Sequence, residues 1–369
     1  MTPETIEAYG VRLRPFRPAD APEVVAGCAD PETRRFIPAM PDPYTAQSAH
    51  WWITEGAPAA WAAGGAAYAI ADRDTDRLLG GIGLTSISAE RGHLEIGYWV
   101  VPAARGRGVA GAATRALTAA AFTAGAARLE LLTHQENGAS QRVALACGYR
   151  HEGVRRAASA PRDGARYDLV AWVRLADDPP GPTARLLPDL PDGRLTDGVV
   201  TLRRLGPEDA DPMYRLHTRP EVVASRVPPV APDRESIERR CRLAESHWLA
   251  GRSADLVILD ATTGAVAGGC ALVYDEPATG QAMLGYSMLP EARGRGLATR
   301  AVGLVAGWAF EVGLARLWAG TRPENLASQR VLAKAGFRRE GLLRGRLPGP
   351  DGTRVDSLIF GRLSGDRTG

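Results

Sequence analysis

Short apolar runs of strand length alternate with stretches of helix formers, and the order occurs twice. In the first half the pattern predicts strands over 11–16, 67–71, 79–86 and 94–101. A helix over 109–125, a strand over 129–133 and a short helix over 140–147 follow. The second half reads the same way: strands over 199–205, 254–260, 266–274 and 282–289, a helix over 297–313, a strand over 317–321 and a short helix over 328–335. Glycine closes each predicted helix, as the left-handed residue after a last turn requires. A further helix follows the opening strand of each half, with Asp20 or Asp209 near its start. Each half ends on a hairpin with Asp163-Gly164 or Asp351-Gly352 at its turn. Strands first, then strand–loop–helix–strand, then helix and hairpin, predict a mixed α/β (α+β) domain.

The two halves are copies. Pro102–Ala110 (PAARGRGVA) and Pro290–Ala298 (PEARGRGLA) agree at seven of nine positions. Glu136–Gly153 and Glu324–Gly341 agree at eleven of eighteen, at the same offset of 188 residues. Near the starts the offset is 189, as Asp30-Pro31-Glu32 against Arg219-Pro220-Glu221 shows. So long a period is a duplicated domain and not a solenoid. The proline-rich stretch 178–197 is expected to be a linker, with one domain over 1–177 and the other over 198–369.

Composition narrows the function classes. The chain of 369 residues carries 45 basic and 42 acidic side chains, a net charge of +3. Near balance gives no reason to expect nucleic acid or a membrane as partner. Cys28, Cys147, Cys241 and Cys270 are too scattered for a metal site or disulfide framework, and no metal is expected. No secretory signal or spanning apolar run is visible, so a cytoplasmic protein is the expectation. A monomer and a homodimer are equally compatible with the sequence.

The sharpest chemistry lies in Arg105-Gly106-Arg107-Gly108-Val109-Ala110 and its twin Arg293-Gly294-Arg295-Gly296-Leu297-Ala298. Each stands between an apolar strand and a helix. Two glycines permit a tight turn that gathers backbone N–H groups, and the helix adds its own unpaired N–H groups and positive dipole end. That combination cradles pyrophosphate, and arginines add charged contacts. Gly106-x-Gly108-x-x-Gly111 with Glu130 downstream also fits a dinucleotide fingerprint. Two features oppose that rival: several strands precede the loop, and the second copy has Thr299 and Trp318 at the key positions.

The loop resembles the acyl-CoA motif of the GNAT superfamily of N-acetyltransferases, Arg/Gln-x-x-Gly-x-Gly/Ala. It is matched by Arg105, Gly108 and Ala110 and again by Arg293, Gly296 and Ala298. Three further elements resemble that family in the same order: Gly97-Tyr98 and Gly285-Tyr286, Asn137-x-x-Ser140 and Asn325-x-x-Ser328, then Gly148-Tyr149 and Gly336-Phe337. The Asn-x-Ala-Ser-x-Arg-Val form is similar to the branch of ribosomal-protein N-terminal acetyltransferases. The resemblance covers nearly all of both halves.

It implies two tandem GNAT folds, each a mixed central sheet splayed between its fourth and fifth strands, with acetyl-CoA as cosubstrate. Pantetheine would lie in the splay, near Val100 and Val101 in one copy and Met288 and Leu289 in the other. Gly106, Arg107, Val109, Gly294, Arg295 and Leu297 would complete the phosphate loops, and Asn137 and Asn325 would flank the cofactor. The resemblance makes Glu95 the candidate base, with Met283 at the matching position. The family's usual acid, a tyrosine, is replaced by Ala144 and Leu332, which leaves Ser140 and Ser328 as candidate acids. Against these roles stand plainer ones: Glu95 as a solvated strand residue, the serines as helix N-caps, the asparagines as turn formers and the arginines as surface charges.

Acceptor specificity is expected in 31–61 and 220–247, where Glu55, Asp233, Glu235, Glu238 and Glu245 suggest an acidic rim. The expected partner is a small amine-bearing metabolite or antibiotic, or else a protein N-terminus. An acyl-CoA-binding protein with one non-catalytic domain, and aminoacyl transfer from charged tRNA, are the other readings.

Overall fold

The computed structural model describes residues 2–159, 164–349 and 352–366, so Asp163 and Asp351 lie outside the described residues. The chain forms two compact units, residues 1–184 and 185–369.

Unit 1 contains β1 (Ile6–Ala8), β2 (Val11–Arg14), β3 (Ala66–Asp72), β4 (Leu78–Ser88), β5 (His93–Val100), β6 (Arg128–His134), β7 (Arg150–Arg155) and β8 (Leu169–Leu175). They form one sheet in the order β1-β2-β3-β4-β5-β6-β8-β7. Unit 2 repeats it with β9 (Arg194–Thr196), β10 (Val200–Arg204), β11 (Ser253–Asp260), β12 (Val266–Glu276), β13 (Gln281–Met288), β14 (Arg316–Thr321), β15 (Arg338–Pro348) and β16 (Arg354–Leu363). Every pairing is antiparallel except β5 with β6 and β13 with β14. One parallel pair in an antiparallel sheet is not the doubly wound sheet that dinucleotide binding needs. Glu130, the acid of that rival reading, is instead buried on β6, ion-paired with Arg155 and 3.0 Å from His93 Nε2.

The edge strands β1 and β9 are additions to the predicted set, so the splay lies between the fifth and sixth strands of each unit. They escape prediction because three residues carry too little periodicity to read. The expected linker is shared out between the units. Thr183 donates its N–H to Leu145 O at 2.8 Å within unit 1. Leu187 and Leu190 are buried in the core of unit 2, where Trp248 Nε1 donates to Pro188 O at 2.9 Å. Proline stops helix there without preventing packing.

Asp20 and Asp209 do more than start a helix. Arg14 holds Asp20 bidentately at 2.8 and 2.9 Å, both side chains buried, and Arg203 holds Asp209 at 2.7 Å. The pair ties the opening strand of each sheet to the helix that follows. Asp20→Ala removes this partner while Arg14 keeps Asp76 at 3.0 Å, so the expected loss in unit 1 is that of charged hydrogen bonds, about 1.5–3 kcal/mol by denaturant unfolding.

The long helices Val109–Thr123 and Leu297–Glu311 bury alanine-rich faces against the sheets. All four cysteines are buried and free. No helix among the described residues is long and apolar enough to cross a membrane.

Candidate active site

Each parallel pair opens after three residues. β5 meets β6 at His93–Arg128, Leu94–Leu129 and Glu95–Glu130, and β13 meets β14 at Gln281–Arg316, Ala282–Leu317 and Met283–Trp318. Beyond that point β5 continues along β4, while β6 stays with β8. The inner edge of β5 from Ile96 to Val100 is thus left without a strand partner, and so is Leu284 to Met288 in β13. Unpaired backbone of this kind needs another donor and acceptor, and a chain of amides supplies both.

The ladder decides which N–H groups face the opening. Val101 N donates to Leu79 O and Leu289 N to Ala267 O, each at 2.9 Å. Antiparallel alternation then turns the N–H groups of Ile96, Tyr98 and Val100, and of Leu284, Tyr286 and Met288, toward the splay. Val101 and Leu289, expected beside the pantetheine, spend their N–H groups on the neighbouring strand, and Val100 and Met288 carry the ones turned to the splay.

The loops that follow have the form expected of an anion cradle. Gly106 and Gly108 have φ of +71° and +78°, and Gly294 and Gly296 both have +76°. A Cβ at any of the four would meet nothing within 4 Å, so these glycines serve backbone conformation and leave open space before the helix N-terminus. Among the described residues, no N–H of 106–110 or 294–298 donates to a backbone carbonyl outside its helix. Gly106, Arg107, Gly108, Val109 and Ala110, and their twins Gly294, Arg295, Gly296, Leu297 and Ala298, thus present a crown of N–H groups that fits a pyrophosphate.

The arginines are less free than the sequence suggests. Arg105 donates from Nε to Val100 O at 3.3 Å and from Nη2 to Thr33 Oγ1 at 2.7 Å, and pairs with Asp30. Arg293 donates to Met288 O at 3.2 and 3.3 Å, and Arg295 pairs with Asp260. Arg105 and Arg293 therefore brace the end of the splayed strand.

Asn137 and Asn325 are the helix N-caps: their Oδ1 atoms accept from Ser140 N at 3.0 Å and Ser328 N at 3.1 Å. The serines lie inside the first turn, so the capping role moves from serine to asparagine. This frees the hydroxyls. Ser140 Oγ lies 2.8 Å from Tyr98 OH, and Ser328 Oγ lies 2.8 Å from Tyr286 OH. Burial raises both phenol pKa values, that of Tyr286 to about 12, so both remain protonated donors at neutral pH. The tyrosine of Gly-Tyr is visible in the sequence, but its serine partner is 42 residues away. Ala144 and Leu332, where the usual acid is missing, are buried in the cores.

Glu95 stands at the mouth of the splay in unit 1, opposite Glu130. Burial and the Glu130 charge raise its pKa above the usual glutamate range, against an opposing pull from Arg155. Unit 2 has Met283 and Trp318 at those two places. Among the described residues no group of three or more His, Cys, Asp or Glu is placed to hold a metal. The acidic rim of unit 2 is largely consumed: Asp233 caps its helix, Glu238 pairs with Arg234 and Glu245 with Arg204.

Comparison with known proteins agrees with this geometry. Residues 11–150 and 200–338 each match the Acetyltransferase (GNAT) domain family. A 57-residue stretch is 49% identical to "Probable N-acetyltransferase YjcK" of Bacillus subtilis, covering 15% of this chain and 32% of that protein. The chain thus spans about a third of that relative. Among solved structures, RimJ of Mycobacterium smegmatis in complex with CoA-disulfide is 28% identical over 46% of this chain and 84% of that one, with a TM-score of 0.41. A ribosomal-protein-S5-alanine acetyltransferase from Vibrio fischeri is 21% identical over 47% of this chain and 97% of that one, with a TM-score of 0.42. With the family matched in both halves, the chain belongs to the GNAT acetyltransferases and carries two such domains in tandem.

Proposed function

We propose that unit 1 moves an acetyl group from acetyl-CoA to the amine of a small metabolite, amine-bearing antibiotics among them. The observation that carries this reading is Glu95, held at a raised pKa where the splay opens. Acetyl-CoA supplies an electrophilic thioester and a thiolate leaving group. The N–H groups of 106–110 receive its pyrophosphate, and the inner edge of β5 pairs with its pantetheine amides. The free Val100 N–H is the donor nearest the loop for charge that develops on the thioester oxygen.

Glu95, Gly97 and Trp99 share one face of β5, because side chains alternate along a strand. Gly97 has open space above it, with Glu95 before it and the Trp99 indole after it. An unhindered amine entering over Gly97 gives its proton to Glu95 and attacks the carbonyl. Ser140 then protonates the departing thiolate, with Tyr98 behind it as donor. Ser140→Ala is expected to lower kcat by about 10²-fold. Tyr98→Phe, which removes one supporting hydrogen bond of about 1 kcal/mol, lowers it roughly fivefold.

Unit 2 repeats the loop and the splay and binds acyl-CoA, but lacks the Glu95 carboxylate. Thiol release from acetyl-CoA, measured with a panel of small amines and a panel of peptide N-termini, tests the acceptor. Turnover of small amines is expected. Turnover of peptides alone would make the enzyme a protein N-terminal acetyltransferase, and no turnover with either panel would reject transfer altogether.

A further inference from the structure

Unit 2 contains an open cavity of about 290 Å³, the size at which small-molecule sites begin. In unit 1 the matching volume is filled by Trp99. A Cβ on Gly27 would lie 2.2 Å from that indole and one on Gly81 2.7 Å from it, so the ring is packed hard against the first helix and β4. Trp99 faces Gly81 across β5 and β4, and in unit 2 the same register pairs Ser287 with Gly269. The exchange of tryptophan for serine vacates the space, and Ser287 and Gly269 both line it.

The cavity also has a polar wall that unit 1 lacks. His217, Arg240 and Asp255 line it, where the repeat offset puts Cys28 and Ala67 at the places of His217 and Asp255. His217 is 8% exposed, and its Nδ1 lies 3.1 Å from Arg226 Nη1. A guanidinium only donates, so Nδ1 is the acceptor and the ring proton sits on Nε2. Burial, with the Arg240 and Arg226 charges, brings the His217 pKa down to about 4, so the ring is a neutral N–H donor.

Asp255 is already spent. Arg240 Nε donates to it at 3.1 Å, Arg240 Nη2 also bonds it, and Ser253 Oγ donates to its other oxygen at 3.3 Å. Arg226 has no carboxylate partner among the described residues, and its Nε is buried without a hydrogen-bond partner. Arg226 is not on the lining itself but stands directly behind His217, so the wall and the cation behind it together carry one guanidinium charge in excess and no free acid. A half-buried cation without a counter-ion is costly, and an anion completes it.

We propose that this cavity binds a small carboxylate-bearing molecule, received at His217 with Arg226 and Arg240 supplying the charge. The remainder of the ligand rests on Met213, Ile237 and Leu256. A single excess charge matches a monoanion, and Tyr286 and Ser328 on the lining make the site continuous with the acyl-CoA slot of the same unit. The proposal goes beyond the acetyl transfer assigned to unit 1 and does not depend on it.

The test is calorimetry on the full chain, with and without CoA, using 4-methylpentanoic acid, hexanoic acid and 3-phenylpropanoic acid, monoanions at neutral pH, each against its primary amide. Acid and amide differ at the carboxylate alone. At least tenfold tighter binding of the acids is expected. That preference should be lost in Arg226→Gln and in Ser287→Trp, the latter refilling the space as unit 1 does. Thermal melts of both variants confirm that they fold. Amides that bind as well as acids, a preference that survives both substitutions, or no binding by any acid would each overturn the proposal. Acetyl-CoA titrated in parallel keeps these failures distinct from a failure of the acyl-CoA sites.

Discussion

Glu95→Gln lowers kcat by about 10²–10⁴-fold while the Kd for acetyl-CoA stays as in the wild type. The glutamine keeps the shape of the side chain and removes its capacity to take a proton. The pH profile gives a second readout. Burial and Glu130 hold the Glu95 pKa above its ordinary value, and the working form is the carboxylate. The rate therefore climbs as pH rises through that raised pKa and falls away below it. In Glu95→Gln this limb disappears. Glu130→Gln removes a neighbouring negative charge and leaves burial alone to oppose the pull of Arg155 on Glu95, so the limb moves to lower pH. A Glu95→Gln enzyme with the wild-type rate and the wild-type limb would place the base elsewhere.

Gly108→Trp is expected to lower kcat/KM by about 10²-fold or more, because a misplaced acyl donor loses its alignment with the amine. Two effects combine. At φ +78° any side chain strains the turn, and an indole on this position stands in the open space where the pyrophosphate is to lie. Initial rates at saturating and limiting acetyl-CoA separate the two cases that matter. A loss confined to limiting acetyl-CoA assigns Gly108 to binding alone, and a loss at both assigns it to placement of the thioester as well.

Much of this was legible in the chain because the duplication wrote it twice. The Arg-Gly-Arg-Gly loops and the Asn-x-x-Ser turns recur at one offset, and the two sheets carry them at matching places. What remained illegible depends on groups that meet across the fold. Which of Val100 and Val101 turns its N–H into the splay follows from the pairing of Gly80 with Val100, a register that no local pattern prints. Arg105 reads as a phosphate ligand until Asp30 and Thr33 are found on it, from 75 and 72 residues away. The exchange of Trp99 for Ser287 is plain in the aligned halves, but its meaning rests on Gly27 and Gly81 packing under the indole. Glu130 drew notice as a ribose-binding acid, and its actual neighbours are His93 and Glu95 on β5 and Arg155 on β7, two stretches of chain that only the fold brings to it.

The same loop and splay in both units are proposed to make each of them an acyl-CoA site. Calorimetric titration of acetyl-CoA tests this most directly, on the wild type and on Gly108→Trp and Gly296→Trp separately. The account predicts a stoichiometry near two that falls to one in each variant. A wild-type stoichiometry near one, lost in one variant and untouched in the other, would contradict it and leave the second unit without an acyl-CoA site.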